Sequence, residues 1–458
     1  MYNKNAWHKY KNVKPVMDFS EGYKDFLTKA KTERLAVDET VKILKAHGFK
    51  EMHSLTKVKT GDKIYIVNRN KNVAAFIIGK KPISEGLHIL GAHIDSPRID
   101  LKQNPLYEDT GFAMLDTHYY GGIKKYQWTT LPLALVGVVC KKDGSIININ
   151  IGLDKKDPIF TINDLLIHLS DKQLQQPAKT IITGENLDIT FGSIPLEGAK
   201  EEAVKMNVLK LLRDKYHFDE EDFTSAEIEA VPAYEARDCG IDRSMVASYG
   251  QDDRSCAYAS LMAIATADPK KVTYTSCIIL TDKEEVGSIG ATGAESYFIE
   301  NVLLDLVHMH EEKHPTLKTR TAFRNSKMIS SDVSAAADPL FKEVNSPHKN
   351  MARFGHGVCF NKYSGHRGKS GNSDANPEFI AYLRKILDDN GIDHQSSELG
   401  AVDAGGGGTI SYALAKYNMD VVDAGVPLLA MHSPLEVVSK VDLYEAYLFY
   451  KAFLLNHK

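Results

Sequence analysis

Five short polar clusters hold the residues of this 458-residue chain that could do chemistry. They are His93 with Asp95 in GAHIDSPR, Asp252 with Asp253 in GQDDRS, Glu284 with Glu285 in TDKEEVGS, Asp332 in ISSDVS, and His432 in AMHSPLE. Each follows an apolar strand-like run or opens a helix. Carboxylates brought this close together would repel one another and take up protons unless cations offset them. Imidazole and carboxylate suit zinc, manganese or cobalt in open sites. Two such ions can polarise a carbonyl and activate water. A neighbouring Glu outside the ligand set can carry the proton to a leaving amine.

Taken singly, each cluster has a plainer explanation. The His-x-Asp could be a turn, the Asp pair a helix cap with first-turn acids, and the Glu pair a solvated face. Asp332 could be a cap, and His432 a core histidine. Their shared placement is more specific than any one of them. In open α/β sheets ligands bind outside the carboxyl ends of strands, where residues far apart in sequence can meet.

The elements that would position these residues are readable from periodicity. Residues 16–48 carry helical spacing through Phe19, Tyr23, Phe26 and Leu27, then Leu35, Val41 and Leu44. KIYIVNRN, NVAAFIIG and LHILGAHID read as short strands. LPLALVGVVCKKDGSIININIG reads as two strands around a Lys-Asp-Gly turn, and DLLIHLSD and KEEAVKMNVLKLLRDKY as helices. After Asp238 helices and strands alternate, from a helix over 253–267 and the strand VTYTSCIILTDKEE to the strand GVPLLAMHS. The closing helix SKVDLYEAYLFYKAFLLNH opens on an S-x-x-D capping box.

Such alternation predicts an α/β fold, a mixed sheet sandwiched by helices. Because the reactive clusters lie on both sides of it, residues 100–235 are expected to be an inserted, mainly β second domain. The discontinuous catalytic domain then comprises 1–99 and 236–458.

Composition narrows the class. The chain has 43% hydrophobic and 25% charged residues, and 56 basic against 60 acidic residues give a formal charge of -4. That balance argues against a nucleic-acid partner. Five scattered cysteines without a CxxC argue against a disulfide framework. With no apolar core in the opening MYNKNAWHKYKNVKP and no long apolar window, a cytoplasmic protein without a membrane span is expected.

The order H-x-D, D-D, E-E, D, H resembles the clan of co-catalytic zinc exopeptidases. The stretches GAHIDSPRIDLK, TDKEEVGS, ISSDVSAA, DAGGGGTIS and LLAMHSPLEV are similar to the aspartyl aminopeptidase family over nearly the whole chain. The resemblance implies a fold of the zinc exopeptidase type that removes N-terminal residues from peptides, with an acidic preference. It implies two divalent ions, zinc by family, although the ligand set admits manganese, cobalt and magnesium too. His93, Asp252, Glu285, Asp332 and His432 would be the ligands, with Asp252 bridging; Asp253 is the other candidate for the bridge. Glu284 would be the general base, and Asp95 would accept a hydrogen bond from His93 and fix its ring. Adjacent Glu284 and Glu285 face opposite ways on a regular strand, so the chain must turn there. His168 aligns with a family histidine that reaches a neighbouring subunit's site, implying homo-oligomers: dimers, and through them dodecamers.

Two further segments complete the expectations. The Gly run 405–408 lacks the context of a phosphate-binding loop and fits a turn passing near the active centre. Lys362, His366, Arg367 and Lys369 form a basic loop that could read an acidic substrate side chain. The alternative activities on the same ions are an aminopeptidase of neutral or broad specificity, or a deacylase.

Overall fold

Every residue of Leu87–His93 is buried, the mark of a strand covered on both faces. It lies inside a nine-stranded mixed sheet. In chain order the strands are β1 (Lys50–Glu51), β2 (Lys63–Asn68), β3 (Asn72–Ile77), β4 (Leu87–His93), β5 (Thr275–Thr281), β6 (Lys327–Ser330), β7 (Val358–Asn361), β8 (His394–Ser396) and β9 (Asp420–Gly425). Their spatial order is β1-β2-β3-β5-β4-β6-β9-β7-β8. The central strands β5, β4, β6 and β9 are mutually parallel, so their carboxyl ends share one edge. This computed structural model describes residues 4–456 apart from 312, 347, 367 and 372.

Strand alternation divides the apolar residues between two cores. Val73, Ala75 and Ile77 pack with Leu27, Val37, Leu261, Leu383 and Phe449, all helical residues on one side. Ala74 and Phe76 pack with Leu303, Leu306, Phe323 and Leu414 on the other. Burying each such Leu or Phe stabilises the fold by about 1.5–3 kcal/mol relative to exposure. The sheet is therefore a mixed one sandwiched by helices.

The chain forms two compact units. One comprises Met1–Asp95, Ala236–Met431 and Leu435–Lys458; the other comprises Ser96–Glu235 with His432–Pro434. The second is built on a seven-stranded antiparallel sheet. Its expected hairpin is present as Leu133–Cys140 and Ile146–Ile151. Its main helix is Ala203–Tyr216.

Three local expectations need correction. The predicted helix at DLLIHLSD is instead a 3-10 turn, Ile167–Leu169, followed by one helical turn, Asp171–Leu174. Its four leucine and isoleucine residues are 48–68% exposed rather than packed as one helix face. The capping box of the final helix, Lys440–Leu454, does not form: Ser439 makes no side-chain cap bond. Asp442 instead accepts the backbone N–H groups of Gly355 and Gly357, both at 2.7 Å. A tertiary demand outcompetes the local motif. GVPLLAMHS is not one strand either; β9 ends at Gly425 and Pro427–Leu429 joins a separate five-stranded sheet.

Candidate metal centre

His93 is the last residue of β4, Glu284 comes three residues after β5, and Asp332 two after β6. These neighbouring parallel strands deliver all three residues to the same edge. Past β6, the Ser331 N–H donates to the Gly91 carbonyl (2.6 Å) and the Ser334 N–H to the Val426 carbonyl (3.0 Å). Asp332 is pinned between those bonds. Gly425 allows this, since a Cβ there would fall onto the Asp332 carbonyl.

Asp252 comes from the start of the helix Gln251–Ala265. Its backbone is not helical (φ -81, ψ 108), nor is that of Asp253 (φ -113, ψ 28), and the peptide joining them is cis. The two acids part company. Asp252 Oδ1 lies 3.3 Å from His93 Nε2. Asp253 is fully buried near Cys256, and burial, reinforced by the charge of Asp252, raises its carboxyl well above the usual range.

Glu284 and Glu285 sit in a 3-10 turn, Glu284–Val286, flanked by Lys283 (φ 69) and Gly287 (φ 99). This is the turn that the adjacent acids require. Asp95 accepts the N–H of Glu284 through Oδ1 (3.1 Å) and that of Glu285 through Oδ2 (3.2 Å). His93 Nδ1 lies 3.3 Å from Asp95 Oδ1 and 3.1 Å from the Asp95 carbonyl oxygen. Bonds at Nδ1 leave Nε2 facing Asp252, and Glu284 at 3.9 Å.

The donors gather tightly. Ligand atoms of His93, Asp252 and Asp332 lie within 4.8 Å of one another, and so do those of His93, Glu284 and Glu285. Burial raises the carboxyl of Asp332 well above its ordinary value, and the charge of Asp253 adds to this. Burial works the other way on His93, but the carboxylates of Asp252 and Asp95 win and raise it well above its ordinary value. One imidazole amid so many buried acids is an electrostatic deficit that a divalent cation repairs. Nitrogen and oxygen donors of this kind fit zinc.

The remaining expected residues lie in the second unit. His432 has a left-handed backbone (φ 65), and its Nδ1 lies 2.9 Å from the Gly122 carbonyl oxygen. His168 is exposed on the turn Ile167–Leu169.

Two supporting residues escaped the sequence reading. Arg254 is buried and donates through Nε to the Ile94 carbonyl (3.1 Å), tying the start of the helix to the segment after His93. Glu436 is buried and accepts backbone N–H groups at Gln251 and Asp252. Both stand inside motifs already singled out, QDDRS and HSPLE, so charged neighbours of the candidate ligands were the available signal.

In the basic loop, Lys369 lies 3.2 Å from Asp374 and its ammonium 3.8 Å from the centre of the Tyr363 ring. Lys362 lies 3.9 Å from the same Asp374. Arg367 is outside the described residues. Gly406–Gly407 of the glycine run pairs with Gly365–His366.

Comparison with known proteins gives the family. The profile of a family described as aminopeptidase I zinc metalloprotease (M18) matches residues 26–454. The chain is 53% identical over 460 residues to a probable M18 family aminopeptidase 1 of Clostridium acetobutylicum, covering 99% of this chain and 98% of that protein. It is similar in structure to an M18 aminopeptidase from Thermotoga maritima, with a TM-score of 0.96, 44% identity and 99% of both chains covered. It also shares its fold with the mApe1 dodecamer of yeast, with a TM-score of 0.76, 20% identity and 97% of both chains covered. The chain thus belongs to the M18 family of aminopeptidases, zinc metalloproteases that hydrolyse peptide bonds at the N-terminus.

Proposed function

We propose that this aminopeptidase works with two zinc ions and prefers peptides whose first residue is acidic. The observation that supports a metal centre is the donor group His93–Asp252–Asp332, whose ligand atoms lie within 4.8 Å of one another; the family resemblance supports the second ion. His93, Asp252 and Asp332 would hold one ion, and Asp252, Glu285 and His432 the other. When bound, zinc supplies Lewis-acid polarisation of the scissile carbonyl and acidifies water.

The chain's own residues do the rest. Glu284 is not needed as a ligand and takes the proton from the attacking water, then hands it to the leaving amine. Asp95 fixes both the His93 ring and the backbone carrying Glu284, so the base and a ligand share one anchor. Lys362, His366, Arg367 and Lys369 are the candidates for pairing with an acidic side chain. The family resemblance and this local positive charge support the acidic preference.

His168 is proposed to act in the site of a second copy. Ile167 and Leu169 beside it are 65% and 68% exposed, and apolar side chains this bare suit an interface. The assembly proposed is a homo-oligomer built from dimers. A cytoplasmic setting fits five cysteines without a disulfide. Among the described residues, no helix is long and apolar enough to cross a membrane.

A panel of chromogenic aminoacyl substrates, set against N-acyl amino acids, tests the activity. The expected order is Asp and Glu derivatives ahead of Ala and Leu, with the acyl compounds inert. Faster hydrolysis of Ala or Leu derivatives would reject the acidic preference. Turnover of the acyl compounds alone would make the enzyme a deacylase.

A further inference from the structure

The helix Gln251–Ala265 begins at Gly250, which has no side chain to cap it. Its first N–H groups are nevertheless satisfied. Glu436, from the strand Glu436–Ser439, accepts the N–H of Gln251 at 2.7 Å and that of Asp252 at 3.1 Å, both through Oε2. The Gln251 side chain returns the tie. Its amide donates to the Glu436 carbonyl (2.7 Å) and the Val246 carbonyl (3.1 Å), and its oxygen accepts the Tyr23 hydroxyl (3.1 Å). Glu436 is 1% exposed, and Gln251 and Tyr23 are wholly buried.

A buried carboxylate is an expensive way to cap a helix, but the left-handed backbone at position 250 (φ 71) favours glycine and so leaves no side chain there to cap it locally. What the remote cap adds is aim. It grips the peptide N–H of the one residue, Asp252, whose non-helical backbone points its carboxylate at His93. We infer that Glu436 is a positioning residue of the zinc centre: its carboxylate fixes the backbone of Asp252 and so sets the geometry and affinity of the metal site. The inference rests on the reading of Asp252 as a metal ligand.

The test compares wild type with Glu436→Ala, Glu436→Asp and Asp252→Ala as zinc-loaded full-length enzymes. Zinc affinity is read by competition with a chromogenic chelator, and site geometry by the visible absorption of the Co(II)-substituted forms. Asp keeps the charge but is one methylene too short to reach both N–H groups, and it serves if the Ala variant does not fold.

Both Glu436 variants are expected to hold zinc about 10–100-fold more weakly, as losses of groups that orient ligands typically do. The Co(II) band should shift, and kcat should fall more than KM rises. A cap that only stabilised the fold would lower Tm while leaving affinity and spectrum of the folded protein unchanged, and that result overturns the inference. If Asp252→Ala itself retains zinc at full affinity, the ligand assignment fails. If Asp252→Ala loses zinc while a folded Glu436 variant binds like wild type, only the positioning role fails.

Discussion

Asp95 holds Glu284 by its backbone, Oδ1 to N–H at 3.1 Å, while the same oxygen lies 3.3 Å from His93 Nδ1. The proposed base and a proposed ligand are therefore indexed to one buried carboxylate rather than to each other. Removing it should damage both functions together. Asp95→Ala is expected to weaken zinc binding about 10–100-fold and to lower kcat even at saturating zinc, because the Glu284 turn loses its anchor. Full activity restored by excess zinc would show that Asp95 serves His93 alone.

Glu284→Gln separates chemistry from metal binding. The amide keeps the size of the side chain but cannot take a proton. Zinc content should stay at the wild-type level while turnover falls by about a thousandfold, within the span of acid–base contributions. Unchanged turnover would remove Glu284 from the role of base.

Acid sensitivity has an identifiable source in His88. Burial, with Lys327 nearby, lowers its pKa to about 4, and its ring stacks on Phe453 at 4.7 Å. A depressed value means that the neutral ring stabilises the fold above about pH 6.5, and that this contribution is lost as pH falls towards 4. Taken over the whole window it amounts to about 3 kcal/mol. Asp442 titrates with the opposite sign, since burial raises it to about 7, so the wild-type curve alone mixes the two. His88→Phe should therefore be compared with wild type by denaturant unfolding at pH 7 and pH 4.5. The variant is expected to lose less stability between them, and an identical loss would clear His88.

The interface proposed around His168 predicts that charge placed on its apolar neighbours breaks the assembly. Ile167→Glu with Leu169→Glu should elute as a smaller species in size-exclusion chromatography with light scattering. Its turnover should drop to that of His168→Ala, because both would leave the site without its visiting histidine. A full-size assembly from the double variant would place the interface elsewhere.

How legible was this in the sequence? The sandwiched sheet was, because short, largely apolar runs such as Leu87–His93 and Thr275–Thr281 read as strands buried on both faces. The strand-end position of His93 followed from the same pattern, and the turn at Glu284 from the two different roles that the family resemblance implies for adjacent acids. Asp252 was preferred to Asp253 by position alone, since they are identical side chains whose separation depends on two non-helical backbone positions. Glu436 was invisible in its role because its bonds span 184 and 185 residues. Asp442 misled, since its short motif was real but its carboxylate serves Gly355 and Gly357 instead. The turn around His168 misled too: its leucines suggested a packed helix, and they are on the surface.

The central claim is that two ions share this centre. Anomalous diffraction at the zinc edge, from crystals of the zinc-loaded enzyme, tests it directly. Two peaks are expected about 3.5–4 Å apart, one against His93 and Asp332, the other against Glu285 and His432, with Asp252 touching both. A single peak, or none within ligand distance of Asp252, would contradict it.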